Sequence, residues 1–252
     1  MNETPMVSII TPAFNCSPTL RETAETVMNQ TYKNWEWLIT DDCSDEETKK
    51  VLLELSCRDS RIKINHFKSN HGAAVARNDA ISRSSGDFIA FIDSDDLWDL
   101  DKLQVQVQFM QDGVNFSFTA YSLITEKGQS LNKVVDRQVK KSFGYDDMLK
   151  KQATLGCSTV MLRKRAFSDL KMPLLRTGQD YALWLKLLRL GERAYLLPRP
   201  LTNYRIVSTS ISRNKYKKAM RQWQIYRKVE NLGFVKSCHC FCFYAIRAIF
   251  RR

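Results

Sequence analysis

No Gly-x-Gly-x-x-Gly follows the first apolar run of this 252-residue sequence and no Gly-x-x-x-x-Gly-Lys occurs in it. Dinucleotide oxidoreduction and P-loop hydrolysis therefore lose support. No uninterrupted apolar stretch reaches the length of about 18 residues that a bilayer-spanning helix needs. A basic-then-apolar leader is missing before Val7, so secretion is not signalled and a cytoplasmic location is expected. The seven cysteines are odd in number, scattered at Cys16, Cys43, Cys57 and Cys157 and clustered at Cys238, Cys240 and Cys242. Together with that location they favour free thiols over a disulfide framework. Alternation in Cys238-His-Cys-Phe-Cys242 lacks the two-residue gap usual for zinc ligands, and small hydrophobes are the plainer reading. Acids are scarce in the tail: Ile206 to Arg252 holds eleven Lys or Arg and one acid, Glu230, so nearly all of the net charge of +12 sits there. A nucleic-acid-binding protein would spread that charge over the body or carry a recognised motif, and neither is seen.

What is present centres on Phe88-Ile-Ala-Phe-Ile-Asp-Ser-Asp-Asp-Leu-Trp98, an apolar run ending in three carboxylates within four positions. It reads as a buried strand that delivers its acids to a sheet edge. Carboxylates so crowded repel unless a cation sits between them, and hard oxygen ligands suit Mn²⁺ or Mg²⁺. Such an ion keeps waters and bridges to phosphate oxygens, so Asp93 and Asp95 point to a phosphorylated substrate. The bland alternative is that Asp96 or Asp99 starts a helix through Leu100, Leu103, Val107 and Met110.

Ahead of that run, Val7 to Pro12, Trp35 to Thr40 and Ile62 to Phe67 read as strands. Each is followed by a helical pattern: through Leu20, Ala24 and Val27; through Val51, Leu52 and Leu55; and through Val75, Arg77, Asn78 and Ile81. Alternating strands and helices predict an α/β fold with a mainly parallel sheet, whose ligands gather at the carboxyl ends of the strands. Thr11, Asp42, Gly72 and the Asp93 cluster all fall at such ends. The second half is less regular, with a strand over Phe116 to Ile124, a turn at Glu126 to Gln129, and a short helix over Tyr145 to Lys151. Extended structure over Thr159 to Leu162, a helix over Lys164 to Asp169 and a largely buried helix from Tyr181 to Leu190 complete it. Asp180 stands at the start of that last helix, where an N-terminal cap or first-turn acid is the structural alternative to a catalytic role. His71 is equally a phosphate contact or a solvated loop residue. Trp98 is a packing residue or a platform for a sugar.

Val7-Ser-Ile-Ile-Thr-Pro-Ala-Phe-Asn15, Asp41-Asp42-Cys-Ser-Asp45, Gly72 with Ala76-Arg-Asn78, Asp93-Ser-Asp-Asp96 and Gln179-Asp180 occur in this order over roughly Val7 to Ile211. Taken together they resemble the family 2 glycosyltransferases of bacterial polysaccharide synthesis, and five ordered matches are far more specific than one. The resemblance implies a GT-A fold and inversion at the anomeric carbon of a UDP-sugar donor, glucose or galactose in particular. It implies an acceptor sugar on undecaprenyl diphosphate and a divalent ion, Mn²⁺ or Mg²⁺. Carried over by position, Thr11 and Pro12 line the nucleoside pocket, Asp42 accepts from the uracil ring, and Gly72, Arg77 and Ser94 lie near the nucleotide-sugar. Asp93 faces the ribose or the metal, Asp95 binds the metal and Asp180 is the general base. The chain departs from the family at Gln179, often Glu, and after Tyr204-Arg205, where Ile206 and Val207 stand in place of a histidine. A catalytic domain is expected over 1–211, with a nucleotide-sugar half over 1–112 and an acceptor half over 113–211. For 212–252 two readings stand: a basic amphipathic segment holding the protein on the inner face of the membrane at anionic lipid, or helices packed on the domain. The other classes weighed are a nucleic-acid-binding protein and an inactive nucleotide-sugar sensor. Retention of both Asp95 and Asp180 argues against the sensor.

Overall fold

Four apolar segments make the parallel part of the sheet: β1 (Val7–Ala13), β2 (Trp35–Asp41), β3 (Ile62–His66) and β4 (Phe88–Phe91). A computed structural model describes residues 4–111, 113–138, 140–207 and 215–250. Within these strands Val7, Ile9, Trp37 and Ile39 enter one apolar layer while Ile10, Leu38, Ile89 and Phe91 enter the other. Burial on both faces is why they read as continuous hydrophobic runs. Parallel neighbours need crossovers, supplied by α1 (Ser17–Met28), α2 (Glu46–Arg58) and α3 (Ala73–Arg83). At the start of α2 the Asp45 carboxylate accepts from Thr48 N at 2.8 Å, and Glu46 and Glu47 add favourable charge in the first turn.

Beyond β4 come β5 (Leu97–Trp98), α4 (Lys102–Met110), β6 (Phe116–Thr125), β7 (Ser130–Val135), β8 (Ser142–Phe143), α5 (Tyr145–Leu149), β9 (Val160–Arg163), α6 (Gln179–Arg189) and β10 (Ala194–Ile206). Strand order is β3-β2-β1-β4-β9-β6-β10-β5, with β7 on β6 and β8 on β10. β9 runs antiparallel between β4 and β6, and β10 lies parallel to β6. One continuous sheet thus carries both halves of the chain. Its two faces are covered by α1, α2 and α4 on one side and by α3, α5 and α6 on the other.

The chain ends in α7 (Lys215–Gln224), a π-helical segment over Ile225–Val229 and α8 (Phe234–Phe250). Ile225, Tyr226, Leu232 and Cys240 are buried in the same apolar cluster as α6. Glu230 accepts from Tyr145 Oη at 2.6 Å, and Lys236 pairs with Asp146 at 3.1 Å. Helices packed on the domain are therefore what this face of the tail forms, while Tyr216, Met220, Phe234, Val235 and Ile246 stay exposed. Among the described residues no helix is long and apolar enough to cross a membrane.

Expectation and structure part at several places. The helix expected over Lys164 to Asp169 is a single 3₁₀ turn, Lys164–Ala166. Neither Asp96 nor Asp99 caps α4: the residue before it is Asp101, which makes no side-chain cap, and Asp99 Oδ1 instead accepts from Asn203 Nδ2 at 3.1 Å. No strand was expected between Gly191 and Ile206, yet β10 is the longest in the sheet at 13 residues. Pro198 and Pro200 interrupt its pattern, and the ladder with β6 shifts register between Leu197, Pro200 and Thr202. The expected boundaries near 112 and 211 fall on residues outside the described ones.

Candidate active site

The carboxyl ends of β1, β2 and β4 carry most of the predicted site residues, and the structure sorts them into supports and free groups. Thr11 is fully buried, its hydroxyl donating to Ile92 O at 2.8 Å and accepting from Trp37 Nε1 at 2.9 Å. Expected to line a nucleoside pocket, it ties β1 to β2 and to the residue that follows β4; Pro12, the next residue, is partly exposed. Asp42 is 2% exposed, and its two oxygens accept from His71 N and Gly72 N, both at 2.7 Å. This carboxylate, expected to accept from a uracil ring, clamps the loop that begins α3. Gly72 there has φ +90°, a left-handed conformation that favours glycine, and a Cβ would meet nothing within 4 Å. Backbone conformation, not space, selects the glycine. The His71 ring lies exposed at the surface, its Nε2 2.9 Å from Ser69 Oγ.

After β4 the three acids divide. Asp96 is 1% exposed; its Oδ2 accepts from Ser158 Oγ at 2.5 Å and its Oδ1 from Arg205 N at 2.9 Å. Burial, then the neighbouring Asp95 and Asp93, push its carboxyl well above the usual range. Asp93 and Asp95 stay partly exposed. Burial first and Asp93 second push Asp95 up to about 6. Asp93 Oδ1 accepts from Arg77 Nη2 at 2.5 Å. Arg77 is 6% exposed, and its Nε and Nη1 are buried with no hydrogen-bond partner. Burial opposes the charge on this guanidinium, but Asp93 outweighs it, with a smaller pull from Asp180, and holds its pKa above the ordinary value. Ser94 is hydrogen-bonded to the buried Cys16 thiol.

Asp180 lies in the first turn of α6, behind Gly178 in a left-handed conformation. No hydrogen bond holds its carboxylate among the described residues: it is not a side-chain cap, but it is the acid in the first turn of α6, as the structural alternative has it. Its charge is felt by Arg77 and by the buried Cys157 thiol, both of which also feel Asp93. Residues far apart in sequence, Asp93, Arg77, Cys157 and Asp180, thus meet in one electrostatic neighbourhood. A cleft of about 370 Å³ lined by Gln111, Asn115, Arg163 and Arg165 lies at the opposite sheet edge, where Phe88 opens β4 against Arg163.

Several supports escaped the sequence reading. Ser158 is buried under the acid loop, its hydroxyl accepting from Asp93 N at 3.0 Å while donating to Asp96. Its carbonyl accepts from Trp98 Nε1 at 2.8 Å and from Thr202 Oγ1 at 3.2 Å. Trp98, 2% exposed, is therefore a packing residue closed to a sugar. Arg205, also 2% exposed, donates from Nε to Asp95 O at 2.7 Å, from Nη1 to Glu126 O at 2.7 Å and from Nη2 to Glu22 Oε2 at 2.6 Å. Tyr204 lies near the acids; burial and then Asp96 raise its hydroxyl pKa. The Tyr204-Arg205 pair was the available signal for this second support, while nothing about Ser158 marks it in the sequence.

A mainly parallel sheet with helices on both faces and acids at the carboxyl ends of its strands is the architecture of a GT-A fold. The fold matches the crystal structure of Staphylococcus aureus TarS residues 1–349 in complex with UDP-GlcNAc. The TM-score is 0.71 and the identity 17%, over 97% of this chain and 73% of that one. Residues 8–170 match glycosyl transferase family 2. The chain is 42% identical to the putative teichuronic acid biosynthesis glycosyltransferase TuaG of Bacillus subtilis, over 100% of this chain and 99% of that protein. It is 37% identical to the Escherichia coli UDP-Glc:alpha-D-GlcNAc-diphosphoundecaprenol beta-1,3-glucosyltransferase WfgD, over 87% of this chain and 85% of that one. The protein belongs to glycosyl transferase family 2.

Proposed function

We propose that the enzyme transfers a hexose, glucose or galactose, from a UDP-sugar to a sugar carried on undecaprenyl diphosphate in bacterial surface polysaccharide assembly. The anomeric carbon inverts. The observation that carries this reading is Asp180: a partly exposed carboxylate with no hydrogen bond among the described residues, sharing Arg77 and Cys157 with Asp93. An acceptor hydroxyl must shed its proton as it attacks, and Asp180 is the group free to take it. The name of the relative WfgD agrees with a donor and an acceptor of this kind, and that of TuaG with polysaccharide assembly.

Asp93 and Asp95 are the residues that would hold Mn²⁺ or Mg²⁺. They fit such an ion: both are partly exposed hard-oxygen donors, one Asp93 oxygen is taken by Arg77, and Asp96 faces inward, so phosphate oxygens and water would complete the shell. Bound there, the ion supplies neutralisation of the charge that develops on the leaving nucleotide. Arg77 adds a fixed positive charge with two donors unspent, while Pro12, Gly72 and Ser94 frame the same strand ends. The exposed apolar side chains of α7 and α8, among the cations of the tail, suit peripheral attachment to an anionic inner membrane face where a lipid-linked acceptor resides.

The test is transfer from UDP-glucose and UDP-galactose to N-acetylglucosamine on a synthetic lipid diphosphate, with Asp180→Asn beside the wild type. Asparagine keeps the shape but cannot take a proton. Turnover is expected to fall about 10²- to 10⁴-fold while UDP-sugar binding persists. Near-normal turnover would make Asp180 structural.

A further inference from the structure

Helix α7 lies beyond the residues that match the family, yet it is seated on the turn that carries Asp180. Gln222 Nε2 donates to Tyr181 Oη at 3.3 Å, and Tyr226 Oη donates to Leu149 O one turn further on. Gly178, with φ +78°, takes the closest approach: a Cβ there would lie 2.9 Å from Arg221 Cδ and 3.3 Å from Ile225 Cδ1. The stem of Arg221 therefore crosses the backbone two residues before Asp180.

Its guanidinium is half-buried and has neither a hydrogen bond nor an ion pair among the described residues. Lys218, one turn earlier on α7, is likewise without either. Burial and mutual repulsion lower the pKa of Lys218. Burial also lowers that of Arg221, against an opposing pull from Asp180. A half-buried Arg221 with the exposed Lys218 one turn away, and no carboxylate bound between them, is relieved by an anion rich in acceptor oxygens. Asp180 must face the acceptor hydroxyl, so groups beside it on the α7 side lie beside the acceptor. The donor diphosphate is assigned to the Asp93 and Asp95 side. On α7 the exposed Tyr216 and Met220 lie within a turn or so of these cations, an apolar margin for a lipid tail.

We infer that Arg221, assisted by Lys218, binds the diphosphate of the lipid-linked acceptor, which makes the C-terminal helices part of the acceptor site. The inference rests on the transfer reaction proposed above, and its test separates the two. Two acceptors are compared with the same UDP-sugar: N-acetylglucosamine on a synthetic alkyl diphosphate, and the same sugar as an uncharged alkyl glycoside. A charge-assisted pair with phosphate is expected to give the wild type a preference of roughly 10- to 100-fold in kcat/KM for the diphosphate acceptor. Arg221→Ala is expected to remove most of that preference through acceptor KM rather than donor KM. Arg221→Lys, which keeps the charge without the planar fork, is expected to restore part of it. A wild-type preference retained in Arg221→Ala overturns the inference. So does a loss that falls equally on both acceptors in both variants, or one that appears in donor KM. If the wild type transfers to neither acceptor, the functional reading fails instead.

Discussion

Ser158 is the residue on which the geometry of the acids turns. One hydroxyl accepts from the backbone of Asp93 and donates to the side chain of Asp96, so it fixes which carboxyl points inward and which two face out. Ser158→Ala leaves Asp96 with a single donor, Arg205 N, in a buried place. An unsatisfied buried acceptor costs about 1–3 kcal/mol, which the loop can escape by letting Asp96 turn outward. The variant is expected to need several-fold more Mn²⁺ for half-maximal transfer, read from a metal titration; an unchanged titration would make the hydroxyl dispensable. At Asp95 the prediction is simpler. EDTA should abolish transfer and Mn²⁺ or Mg²⁺ restore it, while Asp95→Ala should lose several powers of ten in rate, since a bound ion contributes several kcal/mol. Full activity in EDTA would end the metal assignment.

At the scale of elements, the β1–β2–β3 edge is locked by Glu36. Its Oε1 accepts from Ser8 Oγ, Ser85 N and Ser85 Oγ, each at 2.7 Å, and its Oε2 from Lys63 Nζ at 2.7 Å. Burial works to raise its pKa, but the bonds from Lys63, Ser85 and Ser8 together outweigh it and bring the carboxyl down to about 2 from 4.5. The unfolded chain therefore takes up this proton first as pH falls. The contribution to stability is fully present above about pH 4.5, shrinks between there and about pH 2, and is gone below. It amounts to about 3 kcal/mol at most. Glu36→Gln is expected to melt below the wild type at pH 7, with the gap closing toward pH 2, as followed by circular dichroism. A gap independent of pH would mean that packing rather than charge is lost. The first three strands and helices were legible because each has one period and one burial pattern. β10 was not, because two prolines and two register shifts erase the alternation that marks a strand.

For the whole molecule, the tail is both packed and exposed. Its buried side, with Ile225, Tyr226 and Cys240, belongs to the core of the domain, so truncation would unfold more than an anchor. Membrane attachment is better probed from the other side, where Val235 is 82% and Ile246 51% exposed. Each cation near an anionic surface contributes about 1 kcal/mol, so binding should be strong with anionic vesicles, absent with neutral ones and released by salt. Val235→Glu with Ile246→Glu is expected to reduce sedimentation with anionic vesicles about tenfold without a change in melting temperature. Equal pelleting by the double variant would place attachment elsewhere.

The sequence by itself determined the class of fold and the family, because strand and helix periods, the acid run after Phe91 and the order of five short motifs are all local or one-dimensional facts. It also marked Asp93 and Asp95 through the acid run after Phe91, while Arg77 and Asp180 as base entered only through the resemblance to the family. Only the tertiary structure decided which polar groups were spent. Asp42, Thr11 and Asp96 look as free as Asp180 in the sequence, and each turns out to be bonded by partners that lie between 26 and 109 positions away. Hydrogen-bond satisfaction is settled when distant segments pack. For the same reason, no local pattern could tell that α7 would come to rest beside Asp180.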